Sequence, residues 1–538
     1  MRSAGKMVSL LIWAASLAST APGATITGTV KGPDGSPFQG AFVQAQNPNT
    51  QSRITVSVLS DKQGRYRLEN LPAGQFRLQI RAIGYKAEPR TGVKLAADQS
   101  VSFDWALQKG TVRWSDLAMY QGRKLLPDAK GKDVLFGSCF ACHGFQSRMA
   151  AVRRDEAGWM DRVNYMLEME HYFIGDRVSP QQAVDVASYL NSVFGVDSQL
   201  PESPADLPEY QSVVRPPYSD EAMKIVYVEY NLPGPNRMPW SGAIDKDGIV
   251  WIPYYGKANK IGRLDPKTGE VKEFAVPNIG TAGIHSAVAG PDGSVWISQQ
   301  GSNKLAKLDP KTGTVIEYQD AYLPGNQAKG IIPGRLGSKH TVRIDPRGMV
   351  WSSGEPVTAF SPETGKFTRY AEIPTTYGVE QDQLGNMWFT EMTKDGKIVK
   401  LDTKTGKITK YATPGPNPHR ITVDSQGVVW FDFAGTKIGR FDPKTEAFKE
   451  YELPPPAPSP YAIATDKQGQ VWYSNTNTDE IGRLDPATGH VTVFPFTHAE
   501  ITMREFLPDS QGRIWFGSPA NNVVGYFYLA GDAEHGGK

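Results

Sequence analysis

Gly427-Val428-Val429-Trp430 ends a turn on glycine, runs on for two residues and reaches a tryptophan. The same phrase recurs at Gly248–Trp251, Gly293–Trp296, Gly348–Trp351, Gly385–Trp388, Gly469–Trp472 and Gly512–Trp515. The seven copies stand mostly 37–45 residues apart, with one gap of 55 before Trp351. After most copies comes a second hairpin signature, as in Ile261-Gly262-Arg263-Leu264-Asp265-Pro266-Lys267-Thr268-Gly269. Each unit therefore holds about four short strands. That period with that strand number predicts a β-propeller, here seven-bladed over residues 223–530.

The ends predict how the ring closes. The last copy runs out after Val523-Val524-Gly525-Tyr526, without an outer strand. Ahead of the first copy, Val228-Glu229-Tyr230-Asn231-Leu232-Pro233 matches the outer-strand ending Lys449-Glu450-Tyr451-Glu452-Leu453-Pro454. The N-terminal piece can complete the last blade, which removes an exposed sheet edge. Residues 531–538 read as a tail.

Outward from the propeller, residues 196–222 are rich in Pro, Asp and Ser and read as a linker. Residues 25–108 show short alternating strands such as Gln75-Phe76-Arg77-Leu78-Gln79-Ile80 between turns such as Asp61-Lys62-Gln63-Gly64 and Leu71-Pro72-Ala73-Gly74. They predict a small β-sandwich. This segment resembles the carboxypeptidase regulatory-like, transthyretin-like domain. The resemblance implies an accessory module, either a structural spacer or a binder of carbohydrate. It contains no His, so no carboxypeptidase metal site is expected.

Residues 1–24 have the form of a secretory signal. Arg2 and Lys6 precede an apolar run from Met7 to about Leu17, and small residues follow. That run is short for a membrane span, and no later stretch approaches one. The expected address is periplasmic or extracellular, with no integral membrane span after cleavage. With 58 basic and 56 acidic residues, nothing points electrostatically to nucleic acid.

Between sandwich and linker, residues 109–195 turn helical and predict an all-α domain. Ser179-Pro180 opens one helix, with Ser as cap and Pro in the first turn. Val184, Ala187, Leu190 and Phe194 follow at helical spacing, and Gly195 closes it. The two cysteines of the chain lie here, in Cys139-Phe140-Ala141-Cys142-His143. This is the C-x-x-C-H form of covalent haem attachment. Two thiols three positions apart can bond the two vinyl groups of one porphyrin, and the next residue, His143, faces the iron. A closed zinc site wants four ligands, and only three are local. One covalent haem c is therefore expected. Met149, Met160, Met166 and Met169 are candidates for the sixth ligand. The stretch Trp159-x3-Val163-x2-Met166 resembles a cytochrome c domain of periplasmic oxidoreductases, and that resemblance implies Met166 as the distal ligand.

Eleven residues before each repeat tryptophan stand Trp240, His285, His340, Tyr377, His419, Tyr461 and Arg504. All are aromatic or cationic, and all are expected at the start of the innermost strand, around the central channel. Such a ring is either a ligand site or a plain channel lining. Glu355, Glu380, Glu391, Asp432 and Glu505 are the carboxylates expected nearby.

The repeat is similar to virginiamycin B lyase over residues 224–530, and Trp388-Phe389-Thr390-Glu391 reproduces the W-F-T-E box of that family. The resemblance implies His419 and His340 as general acid/base histidines, and Glu391 as a carboxylate holding Mg²⁺ near a substrate lactone. The lyases carry a Glu two residues before a catalytic His. Here those places hold Asn417, Ser338 and Gly283, and Tyr377 replaces His in the blade of Glu391.

Three functions are compatible with this order of domains. The first is an exported oxidoreductase or its electron-transfer subunit, serving a redox partner protein, with a small molecule at the mouth and His419, His340, Arg504 and Glu391 as the candidate catalytic residues. The second is a lyase-like enzyme with an appended cytochrome. The third is a non-catalytic scaffold that positions the cytochrome.

Overall fold

The computed structural model describes residues 23–141, 143–169, 178–256, 258–277, 283–320, 339–433 and 435–531. Nearly all of the segment expected to be a signal, Cys142 of the C-x-x-C-H motif and the tail beyond Gly531 lie outside the described residues.

The chain is mostly β-sheet with few helices. Six four-stranded antiparallel sheets follow one another from Ala243 to Pro495. The seventh is built from Phe506–Pro508, Ile514–Ser518 and Val523–Leu529, closed by Ile225–Asn231 from the other end of the repeat. Seven residue pairs, from Ile225↔Leu529 to Asn231↔Val523, form this closure. Tyr230 fixes it further by stacking on Trp515 and donating from its hydroxyl to the Pro266 carbonyl, 2.9 Å away.

The repeat phrase has a physical cause. Asp424 Oδ1 accepts the N–H groups of Gln426 and Val428 at 2.9 and 3.0 Å, while Oδ2 accepts Trp430 Nε1–H at 3.0 Å. One carboxylate thus folds the turn and orients the buried indole. Gly427 sits at φ 83°, which a side chain would strain. The Asp–Trp bond recurs in six blades. Blade 2 has Gly290 at the corresponding place.

The N-terminal segment is sandwich-like, packed around Ile26, Val43, Leu68, Phe76, Leu78 and Trp105. Arg65–Leu71 alternates through Tyr66 and Leu68, then breaks step at Asn70 (φ 57°) and buries Leu71. Its second sheet does not stop at the domain boundary. Thr55–Leu59 pairs antiparallel with Ile225–Asn231, so Val56 faces Val228 across the joint. Sandwich and last blade share one eight-stranded sheet. A spacer hanging on its own is excluded by this continuity.

Residues 109–195 are only partly helical, where an all-α domain was expected. The described helices are α1 (Met119–Leu125), α2 (Lys132–Ser138), α3 (Glu156–Met169) and α4 (Pro180–Phe194). Between α2 and α3 the described chain makes a 3-10 turn at Cys139–Ala141 and a π-helical turn at Gln146–Ala150, and the second is tied to the propeller: Gln146 Nε2–H donates to Asp479 Oδ2 at 3.2 Å, and Ser147 N–H to Glu500 Oε2 at 2.8 Å. α4 has the expected Ser179 cap and ends at Gly195. Its buried face is Ala183, Val186, Ala187, Tyr189, Leu190, Val193 and Phe194; Val184 is exposed, one step off the stripe. Residues 196–222 are not a free tether. Val213 is buried against the helical core, and Arg215 pairs with Glu480 of blade 6 at 3.2 Å.

Candidate functional site

The seven residues predicted at the channel meet in a closed chain of contacts. Trp240 Nε1–H donates to His285 Nε2 at 2.9 Å. Ring centroids then follow at 3.6 Å for His285–His340, 4.1 Å for His340–Tyr377, 3.8 Å for Tyr377–His419 and 4.6 Å for His419–Tyr461. The Arg504 guanidinium lies 4.4 Å from the Tyr461 ring and 5.1 Å from Trp240, which completes the circle. Four members, His285, Tyr377, His419 and Tyr461, sit at register shifts in their inner strands. Such bulges re-aim a side chain toward the axis.

The ring is filled by its own side chains. The hydroxyls of Tyr377 and Tyr461 bond to each other past His419. All three histidines, Trp240 and Arg504 are buried. Beneath them, Arg420 lies 4.9 Å from the Tyr377 ring, and Arg343 pairs with Glu380 and Glu505 at 3.1 and 2.9 Å. The cavity on this underside is about 60 Å³.

Burial holds His285 and His340 well below the usual imidazole range, and pulls His419 down too. At His419 the Asp432 carboxylate opposes that fall, with Oδ2 3.2 Å from Nδ1. Near neutral pH the three imidazoles are uncharged.

Glu391 is not brought to this ring. Its oxygens face Lys397 at 3.4 Å and Lys410 at 2.8 Å on its own blade. Among the described residues no group of three His, Cys, Asp or Glu is placed to hold a metal ion. The donor set therefore does not fit the Mg²⁺ implied by the lyase resemblance.

A cavity of about 450 Å³ lies beside the ring, between the helical segment and blade 1. Cys139 at the end of α2, His143, and Met166 on α3 all line it. Trp159, Val163, Val186 and Leu190 supply apolar wall, and Arg148, Arg154 and Arg162 polar rim. Met149 also lines it; Met160 packs in the helical core, and the side chain of Met169 lies outside the described residues. His143 is buried, and its Nδ1 stands 2.7 Å from the Gly144 carbonyl and 3.7 Å from Glu500 Oε1. Burial pushes its pKa down to about 4. Burial likewise pushes the Cys139 thiol up to about 11.

Four lining residues come from the propeller side, Asn236, Met238, Tyr255 and Gly256, and none was anticipated. Tyr255 stacks on Trp240 with centroids 4.0 Å apart. A signal existed: the fourth residue after the repeat tryptophan is Tyr255 in blade 1, against Gln300, Glu355, Met392, Ala434, Thr476 and Pro519 elsewhere. Blade 1 alone carries an aromatic there.

Comparison with known proteins agrees with two of the parts. Residues 25–108 match the carboxypeptidase regulatory-like domain, and residues 364–535 match the virginiamycin B lyase family. A structure described as a streptogramin B lyase is 25% identical, covers 58% of this chain and 100% of its own, and superposes with a TM-score of 0.50. A virginiamycin B lyase from Staphylococcus aureus is 23% identical over 57% of this chain and 99% of its own, at TM-score 0.49. Kuenenia stuttgartiensis hydrazine synthase is 13% identical over 54% of this chain and 96% of its own, at 0.46. No curated protein matches the chain.

Proposed function

We propose that this chain is an exported c-type haem protein that transfers electrons, as an oxidoreductase or its electron-transfer subunit, with the helical segment as its cytochrome part. One observation carries the reading: Cys139, His143 and Met166, picked out by motif, line a single cavity. Its volume of about 450 Å³ is within the range of ligand and cofactor sites. Cys139 and Cys142 would be the thiols that carry the haem, and His143 and Met166 the side chains that would hold its iron. With Nδ1–H donated to the Gly144 carbonyl, Nε2 of His143 keeps its lone pair for a metal. The lowered pKa keeps this imidazole neutral, as a ligand must be. Bound there, haem supplies one-electron chemistry; a thioether ligand and apolar walls raise its potential and suit transfer rather than oxygen binding.

A lyase-like reading has one observation in its favour, the His419–Asp432 pair, which has the form of a base held by an orienting carboxylate. The packed ring and the lysine-bound Glu391 weigh against it. For the sandwich the continuous sheet favours a structural role over carbohydrate binding.

Optical spectra test the reading. Oxidised protein is expected to show a weak near-infrared sulfur-to-iron band that Met166→Ala removes while haem stays attached. A spectrum without haem bands, in protein matured where covalent haem attachment operates, would sink it. Lactone opening of a streptogramin without haem absorbance would favour the lyase instead.

A further inference from the structure

One wall of the cavity does not belong to the helical segment. We infer that blade 1 of the propeller is part of the redox centre, with Met238 and Tyr255 as positioning residues that seal the haem pocket and raise the potential of its iron. The inference rests on the haem reading above and goes beyond it, since the motif and the helical segment account for the ligands alone.

The wall is built, not incidental. Met238 and Asn236 adopt left-handed backbone, φ 50° and 54°. That region is uncommon for methionine and persists where surroundings hold it. Here Tyr255 N–H donates to the Met238 carbonyl, and Trp240 N–H to Pro253, both at 3.0 Å. A Cβ at Gly256 would stand 3.2 Å from the Met238 sulfur, so glycine lets the thioether lie close. Tyr255 is clamped on both sides: its ring stacks on Trp240, and its hydroxyl donates to Gln300 Oε1 at 3.2 Å. Met238, Trp240 and Tyr255 form a small cluster of their own, in which Met238 and Tyr255 line the cavity and Trp240 joins them to the mouth ring.

The consequence is electrostatic. Reduction lowers the positive charge on the iron by one unit as one electron enters. A rigid apolar wall that keeps water away from that charge favours the reduced state. The Gln146–Asp479 and Ser147–Glu500 bonds hold the helical segment against the propeller beside this wall. Potential and domain docking are thereby tied together, and the packed ring serves as the backing of a haem pocket.

The test uses the full-length haem protein. The midpoint potential is titrated with dithionite and ferricyanide in wild type, Tyr255→Ala, Tyr255→Phe, Met238→Ala and Met238→Leu. Both alanine variants are expected to shift the potential down, Phe and Leu to restore it, and the near-infrared band to survive in all four. Unchanged potentials in both alanine variants overturn the inference. Loss of the band in Met238→Leu overturns it as well, because Met238 would then be an axial ligand. If Tyr255→Ala does not fold by circular dichroism, the Met238 pair decides. Wild-type protein without haem fails earlier, and that failure belongs to the haem reading.

Discussion

His419 and Asp432 form a buried pair, Nδ1 to Oδ2 3.2 Å, at the floor of the propeller mouth. The other oxygen of Asp432 accepts the Arg420 backbone N–H at 2.6 Å. One carboxylate thus serves two donors on adjacent residues, and both of its oxygens are used.

Asp432→Asn should therefore be costly although it is isosteric. With its one oxygen on the Arg420 N–H, the amide turns an NH2 toward His419 Nδ1, so either the imidazole gives up its Nδ1–H tautomer or two donors face each other unsatisfied. An unsatisfied buried group costs about 1–3 kcal/mol. Loss of the carboxylate also removes what opposes burial at His419, whose pKa falls further. Denaturant unfolding and imidazole titration by NMR check both. Wild-type stability in the variant would show that the pair does not anchor the mouth.

The mouth histidines make an acid-sensitive element. His285, His340 and His419 have folded-state pKa values below their unfolded ones, chiefly through burial. Their contribution is complete above the unfolded value near 6.5. It declines as pH falls, since the unfolded chain binds protons that the folded one refuses. Asp479, pushed up to about 6 by burial, and Glu500, to about 7, act in the opposite sense. A comparison of two proteins cancels them. The stability difference between wild type and His340→Gln should shrink by about 1.4 kcal/mol per pH unit below 6.5. Unfolding curves at pH 7.5 and 5.5 measure it, and a constant difference would contradict a buried neutral His340.

The sheet shared by sandwich and propeller predicts that the two unfold together. Val56 lies in a strand paired on both sides, to Ala45 and to Val228. Val56→Pro removes a ladder hydrogen bond at the joint, worth about 1–3 kcal/mol when its partner is left buried. The melting temperature should fall and the single transition split, the sandwich melting first. Unchanged melting would mean that the joint bears no load.

The propeller was legible because one phrase recurs: the glycine and tryptophan of each turn are fixed by the same hydrogen bonds around an aspartate, as at Asp424, Gly427 and Trp430. The ring from Trp240 to Arg504 was legible for the same reason, since a constant offset from a fixed tryptophan lands on a constant place. His143 and Met166 stood in local motifs. Met238 did not, because a cavity wall contributed by another fold obeys no period, and Tyr255 was marked only by departing from the residues at its place in the other blades. The pairing of Thr55–Leu59 with Ile225–Asn231 was equally invisible, as edge strands far apart in sequence carry no mark of their partner. The linker misled by composition: its prolines suit short turns that pack Val213 as well as a free tether.

Covalent haem is the claim on which the account turns, and a denaturing gel stained for haem peroxidase activity tests it most directly. Protein expressed with its N-terminal segment, in a host that matures c-type cytochromes, should keep its stain after boiling in detergent. Its intact mass should exceed that of the polypeptide by one haem. Cys139→Ala combined with Cys142→Ala should abolish both. An unstained wild type, or stain that survives the double substitution, would contradict the account.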